Sequence, residues 1–376
     1  MRDYFFKFLL GLAGISVLAL ILSLIGVISH SGIYVILFFV FIALGIRGTE
    51  SLKGFSFTVW VFAAVSLAMY FPSYITEVNG FKTTALIVPL IQLIMFGMGT
   101  AMSVSDFAGV IKMPKGVVIG LICQFSIMPL TGFLLASSLN FPAEIAAGIV
   151  LIGSSPSGVA SNVMAFLSKG NLALSVTLTS IATLLAPFIT PFLMQVFASQ
   201  FVPIEFLSMM WSITKMIILP IAAGLLFNKI FSERAKWVND AMPVVSMLGI
   251  IVIIAVITAS GRDNLISVGL LLILAGVIHN AIGYLLGYWG CRITGMNITD
   301  SRTIAFEVGM QNGGLASGIA VEMGRAATMG LAPAIFGPWM NISGSFLANW
   351  WRDRQPEDII PDESRPDKNA VEPVDV

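Results

Sequence analysis

The sequence predicts an all-α polytopic membrane protein. It has a ten-helix core of two inverted five-helix repeats with crossing unwound helices, plus an extra N-terminal helical pair. Three observations carry this reading. The 376 residues are 57% hydrophobic and only 11% charged, against roughly 25% charged residues in a soluble domain, and the mean hydropathy is +0.93. Polar breaks divide the chain into twelve apolar segments, most of them near the length of a membrane span. Two of these segments, at matching places in the two halves, are interrupted by helix-breaking and polar residues.

Two segments precede the core, near 8–28 and 32–46, split by His30-Ser31-Gly32. The first follows Arg2 and Lys7. It is too long for a signal-peptide apolar region of roughly 7–15 residues and has no convincing small-residue cleavage site, so it reads as a retained span. The second is short for a full span, which suits a tilted, buried or re-entrant helix. Ten core segments follow near 56–72, 84–102, 116–137, 144–167, 172–198, 207–230, 241–260, 265–290, 301–322 and 328–351. The regions expected are an N-terminal transmembrane hairpin over 1–50, a first inverted repeat over 51–200, a second over 201–352, and an acidic tail over 353–376. The tail carries eight acids and three bases with almost no large apolar residue. Such a composition cannot build a core and predicts disorder.

Loop charge orients the chain. With the start of the first core span inside, twelve Lys and Arg residues fall in inside loops and only Lys82, Arg262 and Arg325 outside. The C-terminal tail is then cytoplasmic. Lys215 falls within the sixth core segment, where it is expected to snorkel or to pair with a polar group. The formal net charge of zero gives no electrostatic case for nucleic acid. Cys123 and Cys291 lie in different segments and read as apolar filler.

The ten core segments form two sets of five, and an odd number of spans per set inverts the second set relative to the first. The third segment carries Gln124-Phe125-Ser126-Ile127-Met128-Pro129 and the eighth carries His279-Asn280-Ala281-Ile282-Gly283. The fourth carries Gly153-Ser154-Ser155-Pro156-Ser157-Gly158-Val159-Ala160-Ser161-Asn162. The ninth carries Phe306-Glu307-Val308-Gly309-Met310-Gln311-Asn312-Gly313-Gly314. Interrupted helices at corresponding places in two halves point to a substrate site where they cross.

Glu307 is the acid that lies deepest in a long apolar stretch. A carboxylate at that depth costs several kcal/mol unless compensated. Ser161 and Asn162 follow the first break, and Ser175 and Thr179, four apart, share a helix face. These oxygens with Glu307 suit a sodium-sized shell. Gln311 is also four residues from Glu307 and is expected on its face, and Gln124 could close a second oxygen cage with both. Taken singly, hydroxyls and amides more often tighten helix contacts, and His279 more often packs between helices. An intramembrane serine protease using Ser154 or Ser155 with His279 is a rival reading. It lacks the flanking pattern of a nucleophile elbow. No pair of buried aspartates and no P-loop is present, and the nineteen methionines scatter as packing residues. The chain therefore reads as a transporter and not an enzyme, without an organic cofactor.

The chain resembles the bile acid:sodium symporter family, and looks closest to its bacterial members, of the apical-sodium-dependent-bile-acid-transporter-like type. The match runs from about Lys53 to Trp351. It is carried by Phe96-Gly97-Met98-Gly99 with Ser105-Asp106-Phe107, by Ala160-Ser161-Asn162-Val163-Met164, by Gly170-Asn171-Leu172-Ala173-Leu174-Ser175, by Glu307-Val308-Gly309-Met310-Gln311-Asn312, and by Asn341-Ile342-Ser343-Gly344-Ser345. The resemblance implies a panel domain of core segments one, two, six and seven, and a core domain of the other six. It also implies two sodium sites. One carries over onto Ser161, Asn162, Ser175, Thr179 and Glu307. The other carries over onto Gln124, Glu307 and Gln311 with the carbonyls of Val308 and Met310. The implied function is sodium-coupled symport, by alternating access, of a small organic anion that is bile-acid-like, pantoate or a small keto acid. Val159, Ala160, Asn312 and Asn341 are the candidate substrate contacts, and the implied setting is a bacterial inner membrane. Proton coupling through Glu307 is the second reading. Two departures concern the substrate. Family members often have Gly-Gly-Thr-Ala-Ser-Asn at the first crossover, where this chain has Ser157 and Val159 in place of a glycine and the threonine. They often have Trp-His-Asn-Ile in the last span, where this chain has Trp339-Met340-Asn341-Ile342.

Overall fold

The computed structural model describes residues 2–29, 31–49, 55–103, 109–231 and 236–354. The Ser105-Asp106-Phe107 motif and nearly all of the acidic tail lie outside them. The principal helices are α1 (Arg2–Leu24), α2 (Ser31–Gly45), α3 (Ser56–Tyr70), α4 (Ile87–Ala101), α5 (Pro114–Ser138), α6 (Ala143–Gly153), α7 (Ala160–Leu167) and α8 (Leu172–Ala198). They continue with α9 (Phe206–Ile213), α10 (Leu219–Phe231), α11 (Lys236–Ser260), α12 (Arg262–Ile293), α13 (Ile298–Gly309), α14 (Gly313–Glu322) and α15 (Leu331–Arg352).

Eight stretches among the described residues are helical, long and apolar enough to cross a membrane. The chain is an all-α polytopic membrane protein. Fewer long spans appear than apolar segments in the sequence, for physical reasons. The fourth and ninth core segments are each two short helices, α6 with α7 and α13 with α14. The last span, α15, contains Pro333, Pro338, Trp339, Asn341 and several Ser and Gly residues, which lower its hydropathy. Large apolar side chains such as Phe8, Phe192, Trp211 and Leu270 are exposed on the outer helices, as lipid contact requires.

Three local features go beyond the sequence expectation. A two-residue hairpin pairs Glu77–Val78 with Phe81–Lys82 before α4. Asn79 and Gly80 both hold positive φ, 50° and 80°, and Asn-Gly is the pair that favours this tight turn. Lys215 lies in a π-helical turn, Thr214–Ile218, that joins α9 to α10, where its carbonyl accepts from Gln92 Nε2. Arg302 is a buried residue of α13 and not a loop charge. Its guanidinium donates to the carbonyls of Ser168, Trp351 and Arg354 and lies 5.6 Å from the Trp351 ring centre.

The helices pack as two groups. α4 packs on α10 and α11, and α11 packs on α3. Gly99 and Gly224 let α4 and α10 touch, since a Cβ on Gly224 would lie 2.8 Å from Thr100 N. The second group surrounds α6 and α13. α6 packs against α5, α8, α14 and α15, and α13 against α5, α7, α8 and α12. Ile145, Ile149, Val150, Leu151 and Ile152 of α6 are fully buried. A helix apolar all round belongs in such an interior. Outside both groups, α1 packs on α2 and α2 on α3.

Candidate functional site

The site begins with two helix interruptions. Pro156 has no N–H to continue a helix, and α6 ends at Gly153. The second interruption, between α13 and α14, holds Met310 to Asn312. The two breaks pair with each other. Gly158 N donates to the Met310 carbonyl at 2.8 Å, and Asn312 N donates to the Pro156 carbonyl at 2.8 Å. The result is an isolated antiparallel bridge with Ser157 opposite Gln311. A Cβ on Gly158 would lie 3.0 Å from the Gln311 carbonyl oxygen, so the crossing needs glycine for its close approach.

Other groups freed by the breaks find partners, as buried backbone in a membrane must. Thr190 Oγ1 donates to the Ser154 carbonyl and Gln124 Nε2 to the Ser155 carbonyl. Asn280 Nδ2 donates to the Gly309 carbonyl at 2.8 Å, while Asn280 Oδ1 accepts from Ser343 Oγ. Asn280 was visible in the sequence only as part of a polar insertion; its task is to hold the end of α13. The N-cap of α8 is Asn171, whose Oδ1 accepts from Leu174 N. Its Nδ2 donates to Asp300 Oδ1 at 2.8 Å, which ties α8 to α13.

Glu307 sits in the last turn of α13, 2% exposed. Four hydroxyls converge on its carboxylate. Ser161 Oγ and Ser175 Oγ lie 2.5 and 2.6 Å from Oε1. Ser157 Oγ and Thr179 Oγ1 lie 2.7 and 2.9 Å from Oε2. Asn162 Oδ1 closes the cluster, 2.8 Å from Ser175 Oγ and 3.2 Å from Thr179 Oγ1. Ser161, Asn162, Ser175, Thr179 and Glu307 are thus brought together as the sequence suggests. Ser157 joins them and was not foreseen there; its signal was the serine standing where the family pattern has glycine. Each hydroxyl carries one proton, and several of these protons have two acceptors in reach. Ser161 Oγ also faces the Gly158 carbonyl at 2.8 Å. Anionic, rich in lone pairs and short of protons, the cluster is suited to a hard cation held by oxygen ligands.

The second group assembles differently. Gln311 is not on the helix face of Glu307, because α13 ends at Gly309 and Gln311 lies in the break. The four-residue spacing therefore carries no shared face. Gln311 Nε2 turns back to the Val308 carbonyl, and its Oε1 accepts from Gln124 Nε2 at 2.6 Å. The Met310 carbonyl accepts from Gly158 N. Gln124, Val308 and Gln311 are neighbours, while Glu307 takes its side-chain hydrogen bonds from the hydroxyl cluster. Gln124 Oε1 is buried without a protein partner among the described residues, an acceptor with no donor.

A cavity of about 420 Å³ lies beside the crossing, within the range of small-molecule sites. One wall carries Val159, Ala160, Gln311, Asn312, Met340 and Asn341, and the other carries residues of α3, α4 and α11 such as Val61, Met98 and Met242. No charged side chain lines it among the described residues. The four expected contacts therefore share one wall. Asn312 has a second task, since its Oδ1 caps α14 through Leu315 N at 3.0 Å. Met340 is 2% exposed, and its Sδ accepts from Gln311 N at 3.3 Å. The cavity reaches Phe57 and Asn239 in the first turns of α3 and α11, and Ala101 at the end of α4. At the other end of α3, Arg262 Nε donates to the Met69 carbonyl at 2.7 Å, and Ser212 Oγ of α9 donates to Glu322 Oε2 at the end of α14 at 3.2 Å. Glu144 there pairs with Arg325 and accepts from Thr328.

Among the described residues, Ser155 and His279 do not form the pair that a serine protease needs. Ser155 Oγ donates to the Leu151 carbonyl, and His279 Nε2 meets the Met128 carbonyl. Neither belongs to a Ser–His pair, and His279 packs against the Phe336 ring.

Comparison with known proteins shows the family. The profile of the Sodium Bile acid symporter family matches residues 88–268. The uncharacterized sodium-dependent transporter YocS of Bacillus subtilis is 41% identical over 307 residues, 81% of this chain and 94% of its own. The probable sodium/metabolite cotransporter BASS1 of Arabidopsis thaliana is 32% identical over 304 residues, 81% of this chain and 75% of its own. The human ileal sodium/bile acid cotransporter is 33% identical over 235 residues, 61% of this chain and 67% of its own. With a hydroxyl-lined buried carboxylate at the crossing of two broken helices and a cavity beside it, the chain belongs to the sodium bile acid symporter family and is a transporter, not an enzyme.

Proposed function

We propose that this chain is a sodium-coupled symporter of a small organic anion, working by alternating access. The observation that carries the reading is the convergence of Ser157, Ser161, Ser175 and Thr179 on Glu307 at the crossing. The relatives, a sodium-dependent transporter and sodium/metabolite and sodium/bile acid cotransporters by name, support sodium as the coupling ion.

The first sodium ion is held by Glu307, Ser161, Asn162, Ser175 and Thr179. A second is held by Gln124, Gln311 and Glu307 with the carbonyls of Val308 and Met310, after Gln311 releases the Val308 carbonyl. The anion binds at Val159, Ala160, Asn312 and Asn341, where the N-terminal ends of α7 and α14 favour negative charge. The apolar cavity walls favour a carboxylate with an apolar body, such as a bile-acid-like, pantoate-like or keto acid. Two sodium ions with one monovalent anion carry one net positive charge, worth about 2.3 kcal/mol per 100 mV.

Residues 51–200 and 201–352 form the two inverted repeats, preceded by the hairpin of residues 1–50. The panel is α3, α4, α9–α10 and α11, and the remaining core helices move against it. The cavity extends toward the first turns of α3 and α11 and the end of α4; in sequence Lys53 precedes α3, Arg234 precedes α11 and Lys236 opens it. With that end inside, the conformation is inward-facing, and the links at Arg262 and Ser212 close the outside. The setting is a bacterial inner membrane with the C-terminal tail in the cytoplasm.

Uptake by the purified protein in liposomes tests this. A panel of organic anions is offered with an inward sodium gradient, with a potassium gradient and with a pH gradient. Accumulation driven by sodium alone is expected; accumulation driven by pH alone would mean proton coupling through Glu307.

A further inference from the structure

We infer that Ser157 Oγ is an additional ligand of the cation held at Glu307, and that it links that ion to the main-chain crossing. The inference rests on the sodium-site reading above. Ser157 is 1% exposed, and its Oγ lies 2.7 Å from Glu307 Oε2. Its backbone is held on both sides. The Pro156 carbonyl accepts from Asn312 N, and Gly158 N donates to the Met310 carbonyl. The main chain that carries the hydroxyl is therefore fixed by two cross-helix bonds and the hydroxyl itself by its bond to Oε2, so little freedom is lost when an ion binds, the condition for a preorganised ligand.

The hydroxyl chemistry allows both contacts at once. A serine oxygen has one proton and two lone pairs, so it can donate to Oε2 and still offer a lone pair to a cation. The cluster is arranged symmetrically around the carboxylate, with Ser161 and Ser175 at Oε1 and Ser157 and Thr179 at Oε2. Without Ser157, Oε2 keeps Thr179 as its one hydroxyl neighbour in this set. Ser157 also faces Gln311 across the bridge, and Gln311 belongs to the second proposed site. An ion drawn to Ser157 thus tightens the strand on which the second site is built, and coupling between the ions follows from one residue.

A bland role predicts the opposite sign. If Ser157 only holds the carboxylate by donating to it, its removal frees a lone pair on Oε2, and sodium binds as well as before or more tightly. The test is a sodium titration of thermal melting on the purified full chain, at constant ionic strength with potassium as the balancing ion. Wild type, Ser157→Ala and Ser157→Gly are compared, and the melt in potassium alone reports folding separately from ion binding. A neutral ligand of this kind is worth about fivefold in affinity, so both variants are expected to need about fivefold more sodium for half-maximal stabilisation. A half-maximal concentration equal to or below that of the wild type, in either variant, overturns the inference while leaving the sodium site in place. A wild type that sodium does not stabilise overturns both.

Discussion

Ser157 and Gln311 face each other across an isolated antiparallel bridge, and this pairing joins the two broken stretches, α6 with α7 and α13 with α14. Its main-chain bonds satisfy groups that the breaks would otherwise strand in a membrane. They also bring α7, with Ser161 and Asn162, against the last turn of α13, with Glu307. The carboxylate cluster and the cavity are consequences of that crossing.

Asn280 supports the crossing from behind. It bonds the Gly309 carbonyl and accepts from Ser343. Asn280→Ala leaves buried polar groups without partners, which costs about 1–3 kcal/mol. The expected outcome is a lower melting temperature in sodium and in potassium alike, measured in detergent. An unchanged melt in both salts would contradict the role.

The two proposed ions are distinguishable. Asn162→Ala removes an oxygen of the hydroxyl cluster, and sodium affinity is expected to fall by about fivefold. Gln124→Ala leaves that cluster intact and removes a member of the second group. The sodium dependence of initial uptake is then expected to lose its sigmoidal form. A sigmoidal dependence retained by Gln124→Ala would count against a second ion there.

Val159 is 45% exposed and lines the cavity. Val159→Thr offers a substrate a hydroxyl that the wild type lacks. The expected outcome is a changed ranking among competing organic anions, with sodium dependence intact. Val159 would be judged not to face the substrate if the ranking stayed the same.

On the proposed alternating-access reading, the links between Ser212 and Glu322 and between Arg262 and Met69 keep the outer end closed. Ser212→Ala removes a bond worth about 1 kcal/mol, a shift of about fivefold between two conformations. With a reporter cysteine at Val159, labelling by a membrane-impermeant maleimide added outside is expected to rise accordingly. Labelling that stays inside-only and unchanged in rate would remove these links from the gating account.

Much of this arrangement is legible in the sequence because few residue types tolerate the interior of a membrane. Glu307, Pro156 and the glycines stand out there, and they mark both the site and the breaks. The oxygens of Ser161, Asn162, Ser175 and Thr179 follow from short spacings within helices that do form. Gln311 shows where this logic stops. A four-residue spacing implies a common face only while the helix continues, and α13 ends between Glu307 and Gln311. Ser157 stood out only as a serine where the family pattern has glycine, and its place at Glu307 depends on pairing between segments about 150 residues apart in sequence. Arg302 looked like a loop charge because three carbonyls from distant segments, not its neighbours, compensate it.

Direct binding of radiolabelled sodium to purified wild type and Glu307→Gln tests the central claim. Glutamine keeps the size of the side chain and removes its charge, so the hydroxyl cluster retains its shape. The account predicts saturable sodium binding by the wild type, undisturbed by excess potassium, and none detectable in Glu307→Gln while the variant still melts cooperatively. Equal sodium binding by the two proteins would contradict it.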